Sequence, residues 1–552
     1  MKIVKELFCL PLAVDQVGAF IASGATNIED YIVRYSQHRE KLLSHTQCAR
    51  SSKYNRTVYG TWELSYKEIQ FRAELDDLNM AQAAQSALHL LALFPFFHHE
   101  GISEELFYYA AIQKDEGIPR PGLPLASSIL DHTLLPLDEA GDWDVFIFRE
   151  GLSVLLSFCL VKKGTINGVY GMHPLVHAWG KDRMTLNERQ KCSLMACAIM
   201  SCSLKGDESQ SYRFRRALVT HVRENMKQNI MEQLQITDYY FDDAYEKFGW
   251  LLRDQRYFSE AEILEMKVLK ACKRNLGEEH PDTLRAMANI GATYCHLNRY
   301  TEAEKLEMQV LDTRDRILGA EHQDTIDAMK NVARTYRGLK KYAEAEKLNI
   351  KVLDARKKLL GSEHPATISA IGYHALTYYD LKKYTEAEKL VIQVVDARNR
   401  ILGAEHPDTV TAMATLAVTY YSMEKYTEAE KLQIQVVASR NKILGAEHPD
   451  TVISMAYLAF TYYKLEKYIE AEKLQIQVVD SRNRILGAEH PDTITEMKNL
   501  AVTFEGLEKY TEQDECSSGE KHQAKEEHQT SIGTMASLPA GNVMNDRIEK
   551  GN

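Results

Sequence analysis

The octapeptide Leu402-Gly403-Ala404-Glu405-His406-Pro407-Asp408-Thr409 returns unchanged at Leu444 to Thr451 and again at Leu486 to Thr493, 42 residues apart each time. Looser copies carry the series towards the N-terminus. Gly277, Gly319, Gly361, Gly403, Gly445 and Gly487 form one ladder, and His280, His322, His364, His406, His448 and His490 form a second. A third, Glu-Ala-Glu, begins at 260, 302, 344, 386, 428 and 470. Three series with one period define a repeat array, in which each unit buries its apolar face against its neighbours.

Each repeat reads as two helices. In the fifth, Val410, Met413, Leu416, Ala417, Tyr420 and Met423 fall at steps of three and one, the signature of one helical face. A small residue recurs on that stripe as Gly249, Gly291, Ala333, Ala375, Ala417, Ala459 and Ala501, where a larger side chain would hold the paired helices apart. The second helix carries Ala429, Leu432, Val436 and Val437 and closes at Leu444-Gly445, because glycine accepts the positive φ that ends a helix. Pro-Asp-Thr then opens the next repeat, with Asp408, Asp450 or Asp492 expected as N-caps. The fold class expected is mainly α, an α-solenoid over residues 240–511 with a 42-residue period.

These residues carry a resemblance. A small residue three before Tyr in the first helix, then Tyr-x-Glu-Ala-Glu opening the second, resembles a tetratricopeptide repeat. The 42-residue length and the Leu-Gly-x-x-His-Pro-Asp linker resemble the kinesin-light-chain subtype. Six full repeats and a seventh first helix are expected. The fourth departs twice, with His374 where other repeats have Ile, Val or Leu, and Ala366 in place of the Asp, so it is expected to be the loosest. After Glu512 the seventh loses the pattern, and residues 512–552, polar and without apolar period, read as a disordered tail.

Residues 1 to about 235 have no such period. Helices are expected from Pro11 and from Ile28, a strongly apolar helix over Ala81–Phe94, a loop over Pro119–Pro124, a helix over Leu152–Phe158, and strands at Cys159–Val161 and Val169–Met172. Helices followed by a β-hairpin resemble a winged-helix domain. Leu10-Pro11-Leu12-Ala13 resembles the Gly-Leu-Pro-Leu element of NB-ARC domains, with Cys9 in place of glycine. Met172-His173-Pro174-Leu175-Val176-His177-Ala178-Trp179 resembles the histidine motif that follows the winged helix in the same proteins, and Thr61–Ser65 and Ala87–Phe94 resemble the intervening segment of fungal-type members. The resemblance divides the chain into an NB-ARC tail-like helical segment (1–50), a winged-helix-like N-terminal domain (51–190), a helical linker (191–239), the solenoid and the tail.

Composition excludes several functions. A net charge of −11 leaves no basic face for nucleic acid, and no run approaches the ~18 apolar residues of a membrane span. Lys2, Lys5 and the apolar run Leu7–Val14 look superficially like a signal peptide. Asp15 and Gln16 end that run, so a cytoplasmic protein is expected. Nine cysteines without a Cys-x-x-Cys pair suit a reducing compartment, and no metal site is expected. No Gly-x-x-x-x-Gly-Lys-Ser/Thr exists to cradle phosphates, so no catalysis is expected. In the resembled class the proline matching Pro11 packs near adenine and the histidine matching His173 reaches the β-phosphate. Weak ADP binding is therefore the most the sequence implies, with a helix-starting proline and a packing histidine as the simpler readings.

What remains is recognition of a protein or peptide, with self-association as a second partner class. The first helices present Asn289 and Asn331, which resemble the asparagines that kinesin-light-chain repeats set against a peptide backbone. Arg334 and Arg337 lie one turn apart and could grip a carboxylate, and Tyr379, Tyr421 and Tyr463 repeat at the solenoid's own spacing. These rows could equally pack between repeats. The function expected is a scaffold or the sensor half of an NLR-like signalling ATPase. The alternatives are a kinesin-light-chain-like cargo adaptor, an ATPase subunit completed by another chain, and a truncated remnant.

Overall fold

The structure, a computed structural model, describes residues 58–113, 130, 135–138, 140–205, 210–227 and 242–518. Pro11, the segment 1–50, the Pro119–Pro124 loop and the tail beyond Ser518 lie outside these. The chain separates into two compact blocks, Met1–Leu297 and Asn298–Asn552.

In the first block, helices α1 (Val58–Ala73) and α2 (Leu78–Leu93) pair side by side. Asp77 starts α2 by accepting the backbone N–H groups of Asn79 and Met80, which have no partner inside the helix. Helix α4 (Val145–Ser157) lies on α2 because Gly151 brings its backbone against Ser86, where any Cβ would collide. Helix α3 (Glu104–Gln113) follows β1 (Ile102–Ser103), the edge of an antiparallel sheet in the order β1-β3-β2, with β2 at Lys162–Lys163 and β3 at Val169–Gly171. The strand expected at Cys159–Val161 is displaced. Cys159 takes φ 55, so the chain turns there and becomes extended only after Leu160 and Val161 have entered the core. The pairing of β1 with β3 was not legible, since two residues carry no alternation.

Helices α5 (Pro174–Asp182), α6 (Leu186–Cys202), α7 (Tyr212–Lys227), α8 (Asp242–Asp254), α9 (Phe258–Leu276) and α10 (Pro281–His296) complete this block. Its buried apolar residues form one contiguous cluster from Val58 to Leu264, with Phe107, Trp179 and Phe248 among the largest. Two buried histidines tie loops to it. His177 Nε2 lies 2.8 Å from the Phe97 carbonyl, and His221 accepts the His98 N–H at 3.1 Å while its Nε2 lies 3.0 Å from the Gly101 carbonyl. Burial pushes His177 down to about 3 and His221 to about 4.

The second block alternates long and short helices up to its last, which is the longest: α11 (Tyr300–Leu318), α12 (Gln323–Gly338), α13 (Tyr342–Leu360), α14 (Pro365–Asp380), α15 (Tyr384–Leu402), α16 (Pro407–Ser422), α17 (Tyr426–Leu444), α18 (Pro449–Lys464), α19 (Tyr468–Leu486) and α20 (Pro491–Ser518). Sequential helices pack in pairs, as the repeat reading requires. Ala333, Ala375, Ala417 and Ala459 are buried at the crossings. Gly445 ends α17 at φ 91 and ψ 162, mirror-image extended backbone open essentially to glycine. Within repeats the turn is a Schellman motif: Lys340 sits at φ 60 and Lys341 N–H bonds the Tyr336 carbonyl at 2.8 Å.

Three expectations about ends need correction. The N-caps are the histidines rather than the aspartates: Nδ1 of His406, His448 and His490 accepts the backbone N–H of Asp408, Asp450 and Asp492 at 3.1–3.2 Å. Asp falls in the first turn instead, where its charge suits the helix dipole. His364 caps α14 in the same way, so Ala366 leaves the fourth repeat with its cap. Finally, α20 runs without interruption to Ser518, through Gly506 and past the point where the apolar pattern ends.

Candidate recognition face on the first helices

The first helices α12, α14, α16 and α18 and the second helices behind them build the candidate site. Two cavities indent the face in repeats four to six, of 310 Å³ and 190 Å³. Leu376, Thr411 and Thr415 line both, so they form a continuous trough. The smaller is lined by Ser369, Gly372, Tyr373, Leu376, Val391, Val394 and Arg398, and the larger by Thr411, Ala414, Thr415, Val418, Gln433, Val436 and Arg440. Each residue of the second set is the first set's residue advanced by one repeat. Leu376, Val391, Val394, Val418 and Val436 make the lining largely apolar, Tyr373, Tyr379 and Tyr457 join it from the first helices, and the Arg398 and Arg440 guanidiniums come from the second helices.

Among the residues expected from the sequence, Tyr379 lines the larger cavity. Its hydroxyl shares a 2.7 Å hydrogen bond with Ser422, and its ring meets Tyr384 edge-on at 5.4 Å. Tyr421 and Tyr463 pack likewise against Tyr426 and Tyr468, and burial raises the Tyr421 phenol. Arg334 and Arg337 do not form one fork. Arg337 pairs with Asp380 of the next repeat at 2.6 Å, while Arg334 reaches the buried Glu307 at 3.4 Å. Burial raises Glu307, against the pull of its 2.5 Å bond from Thr335 and of Arg334. Asn331 is half-buried on α12. Asn289 is half-buried in the first block, where its carbonyl accepts from Arg253 at 3.1 Å.

His173 caps α5, its Nδ1 accepting the Leu175 N–H at 3.2 Å. Among the described residues no group of three or more His, Cys, Asp or Glu side chains is placed to hold a metal, and no helix is long and apolar enough to cross a membrane.

Sequence reasoning missed the contribution of the second helices. Arg314, Arg356, Arg398, Arg440 and Arg482 recur every 42 residues, and each donates to the carbonyl ten residues on. That periodicity was visible, but a charged residue on a helix opposite the binding face reads as solvated. Gln433 was missed because its row changes character: Glu265, Glu307, Asn349, Val391, Gln433, Gln475. In the first three, a threonine of the paired helix supplies a partner: Glu265–Thr293 at 2.6 Å, Glu307–Thr335, and Asn349–Thr377 at 2.8 Å. Thr461, opposite Gln433, turns to the Tyr457 carbonyl instead, and both polar atoms of the Gln433 amide are buried without a partner.

Comparison with known proteins agrees with this architecture. Models of the tetratricopeptide repeat match residues 244–316, 294–358, 366–442 and 451–492. The TPR-like repeats ascribed to a kinesin light chain of Podosopora anserina are 30% identical over 38% of this chain and 99% of that one, with a TM-score of 0.33. A STAND protein with a tetratricopeptide repeat sensor from Pyrococcus horikoshii is 13% identical, covering 96% of this chain and 73% of that one, at a TM-score of 0.39. NprR in complex with its cognate peptide NprX is 17% identical over 58% and 97%, at 0.35. No curated protein matches. The chain belongs to the tetratricopeptide-repeat proteins.

Proposed function

We propose that the chain is a recognition module that holds an extended segment of a partner protein along the first helices of repeats four to six. The observation that carries this reading is the trough itself: two adjoining cavities at equivalent positions of consecutive repeats, lined by aliphatic side chains with Tyr373, Tyr379 and Tyr457 among them. Concave apolar sites with a few polar groups are where proteins take ligands, and tyrosine is enriched among residues that dominate binding energy. Arg334 and Arg337 stand one repeat outside the trough, where their ion pairs brace its end and Asn331 remains beside them for a peptide backbone.

The helix and hairpin order of residues 145–171, with His173 opening the next helix, supports a winged-helix reading of 51–190. On that reading the module is the sensor half of an NLR-like signalling protein, and the repeats are the part that meets the signal. Selection of 12-residue peptides from a random library against the full chain tests the binding face. Tyr373→Ala/Tyr457→Ala should weaken the selected peptides by about 1–3 kcal/mol, and Arg334→Ala/Arg337→Ala should weaken them less. Unchanged affinity in both variants would place the site elsewhere.

A further inference from the structure

The C-terminal ends of four second helices carry an apolar ladder, none of whose residues lines either cavity. Leu359 and Leu360 close α13 at 47% and 37% exposed, and Ile401 and Leu402 close α15 at 44% and 37%. Ile317 and Leu318 at the end of α11 continue the series one repeat earlier, and Ile443 near the end of α17 one repeat later, all exposed. Exposed aliphatics scattered singly are ordinary. The same residues exposed at the same place in successive repeats make a patch, and such patches mark contact surfaces. The last turn of a helix also favours cations, which these positions forgo.

Ion pairs between successive repeats hold the rungs side by side. Lys358, next to Leu359, meets Glu321 of the turn after Leu318 at 2.5 Å. Arg400 meets Glu363 at 3.2 Å, Lys442 meets Glu405 at 2.7 Å, and Arg484 meets Glu447 at 2.8 Å. In each pair the anion belongs to the earlier repeat and the cation to the later. Apolar rungs therefore alternate with charge pairs of fixed order, and these pairs balance in a chain whose net charge is −11.

These features select the occupant. A partner that meets every rung must offer apolar contacts at the solenoid's own interval. A second copy has that interval by construction, whatever its length. Charge then sets the direction. Two ladders laid parallel and in register would oppose anion to anion and cation to cation. Related by a two-fold axis across the ladder, they oppose unlike charges at each step. The balanced pairs also let two acidic chains approach there without local repulsion.

We infer that the protein pairs with a second copy of itself through this ladder, in an antiparallel two-fold contact. The axis falls midway along the four rungs. Leu359 and Leu360 of one copy then meet Ile401 and Leu402 of the other, and Ile317 and Leu318 meet Ile443. The contact stands or falls independently of the binding face proposed above.

Sedimentation velocity of the full chain, from about 1 to about 100 µM, tests it, and a monomer–dimer equilibrium is expected. Leu359→Ala/Ile401→Ala/Ile443→Ala introduces the best helix former and should weaken the dimer at least tenfold. The matched control is Ile350→Ala/Ile392→Ala/Ile434→Ala, which also removes exposed isoleucines from α13, α15 and α17. Ile350 precedes Leu359 by about two and a half turns, so it stands on the opposite side of its helix, and this variant should leave the dimer unchanged. Circular dichroism of each variant checks that the helices persist. Leu360→Lys and Leu402→Glu test the direction. Each alone should weaken the dimer, and a one-to-one mixture should recover it, because the new cation and the new anion then face each other across the axis. A chain that stays monomeric throughout would overturn the inference, as would association that survives the first triple variant or falls equally in both. A mixture no better than its components would overturn the antiparallel contact.

Discussion

The two blocks bury their apolar residues in different ways. The first gathers helices from Val58 to Leu264 around one contiguous core, in which Phe107 touches Phe94, Phe97 and Phe148 with ring centres 4.7–6.2 Å apart. The second divides its core into small clusters. Ile326, Val352, Leu353 and Ala370 join repeats three and four, and Ile368, Val394, Ala397 and Ala412 join four and five. Ion pairs repeat alongside, from Lys341–Glu304 at 2.6 Å through Lys425–Glu388 at 2.8 Å to Lys467–Glu430 at 2.6 Å. One architecture spreads any damage through the whole block; the other confines it to neighbours. Confinement also lets side chains vary from repeat to repeat on an unchanged frame, as Val391 and Gln433 do.

The sharpest way to break this contrast is a cavity in the first block. Phe107→Ala should cost about 3–5 kcal/mol, and hydrogen exchange should speed up from α1 to α9 together. Loss confined to α3 would show that the single core is not cooperative.

Acid should separate the blocks next. His177 and His221 have folded pKa values of about 3 and 4, against 6.5 when exposed. The unfolded chain therefore binds more protons below pH 6.5. Their stabilising contribution is complete above 6.5 and is lost as pH falls, by ~2 kcal/mol for each histidine between 6.5 and 5. Urea midpoints for the first block should fall across that window, and His177→Gln/His221→Gln should flatten the slope. A pH-independent midpoint would contradict the burial assigned to them.

In the second block, Ala417→Leu should overpack the crossing of α16 and α17 by about 1–3 kcal/mol. Exchange should quicken in repeats four to six, with α1 to α9 unaffected. His374 tests the same idea with the opposite sign. It is 7% exposed, neither ring nitrogen has a partner, and burial lowers its pKa. Leu416 and Leu458 occupy the equivalent site, so His374→Leu should stabilise the fourth repeat by about 1–3 kcal/mol. Slower exchange limited to α14 and its neighbours is the expected readout; a destabilised variant would mean the ring has a partner after all.

The sequence announced the second block far better than the first. A repeat states its pattern six times, so chance matches cancel and helix ends fall on Gly445 and Pro449. What periodicity does not show is chemistry between helices. His and Asp both suit a cap by type, and only the 3.1 Å contact from Asp450 N–H to His448 Nδ1 decides between them. Likewise, Arg337 looked like a ligand contact until Asp380 of the following repeat met it. The smaller cavity draws on two helices of the fourth repeat and the first helix of the fifth, and the larger on helices of repeats four, five and six, a combination that no single stripe displays. In the first block each strand is two or three residues long, too short for alternation to register.

The central claim is that the first helices of repeats four to six are the binding face. Hydrogen exchange of the full chain, with and without a saturating excess of the tightest library-selected peptide, tests it most directly. The account predicts slower exchange in α14, α16 and α18, centred on residues 369–379, 411–418 and 453–457, with the ends of the second helices at Arg398 and Arg440 following. Protection confined to the outward residues of α13, α15 and α17, or to residues 58–227, would contradict it.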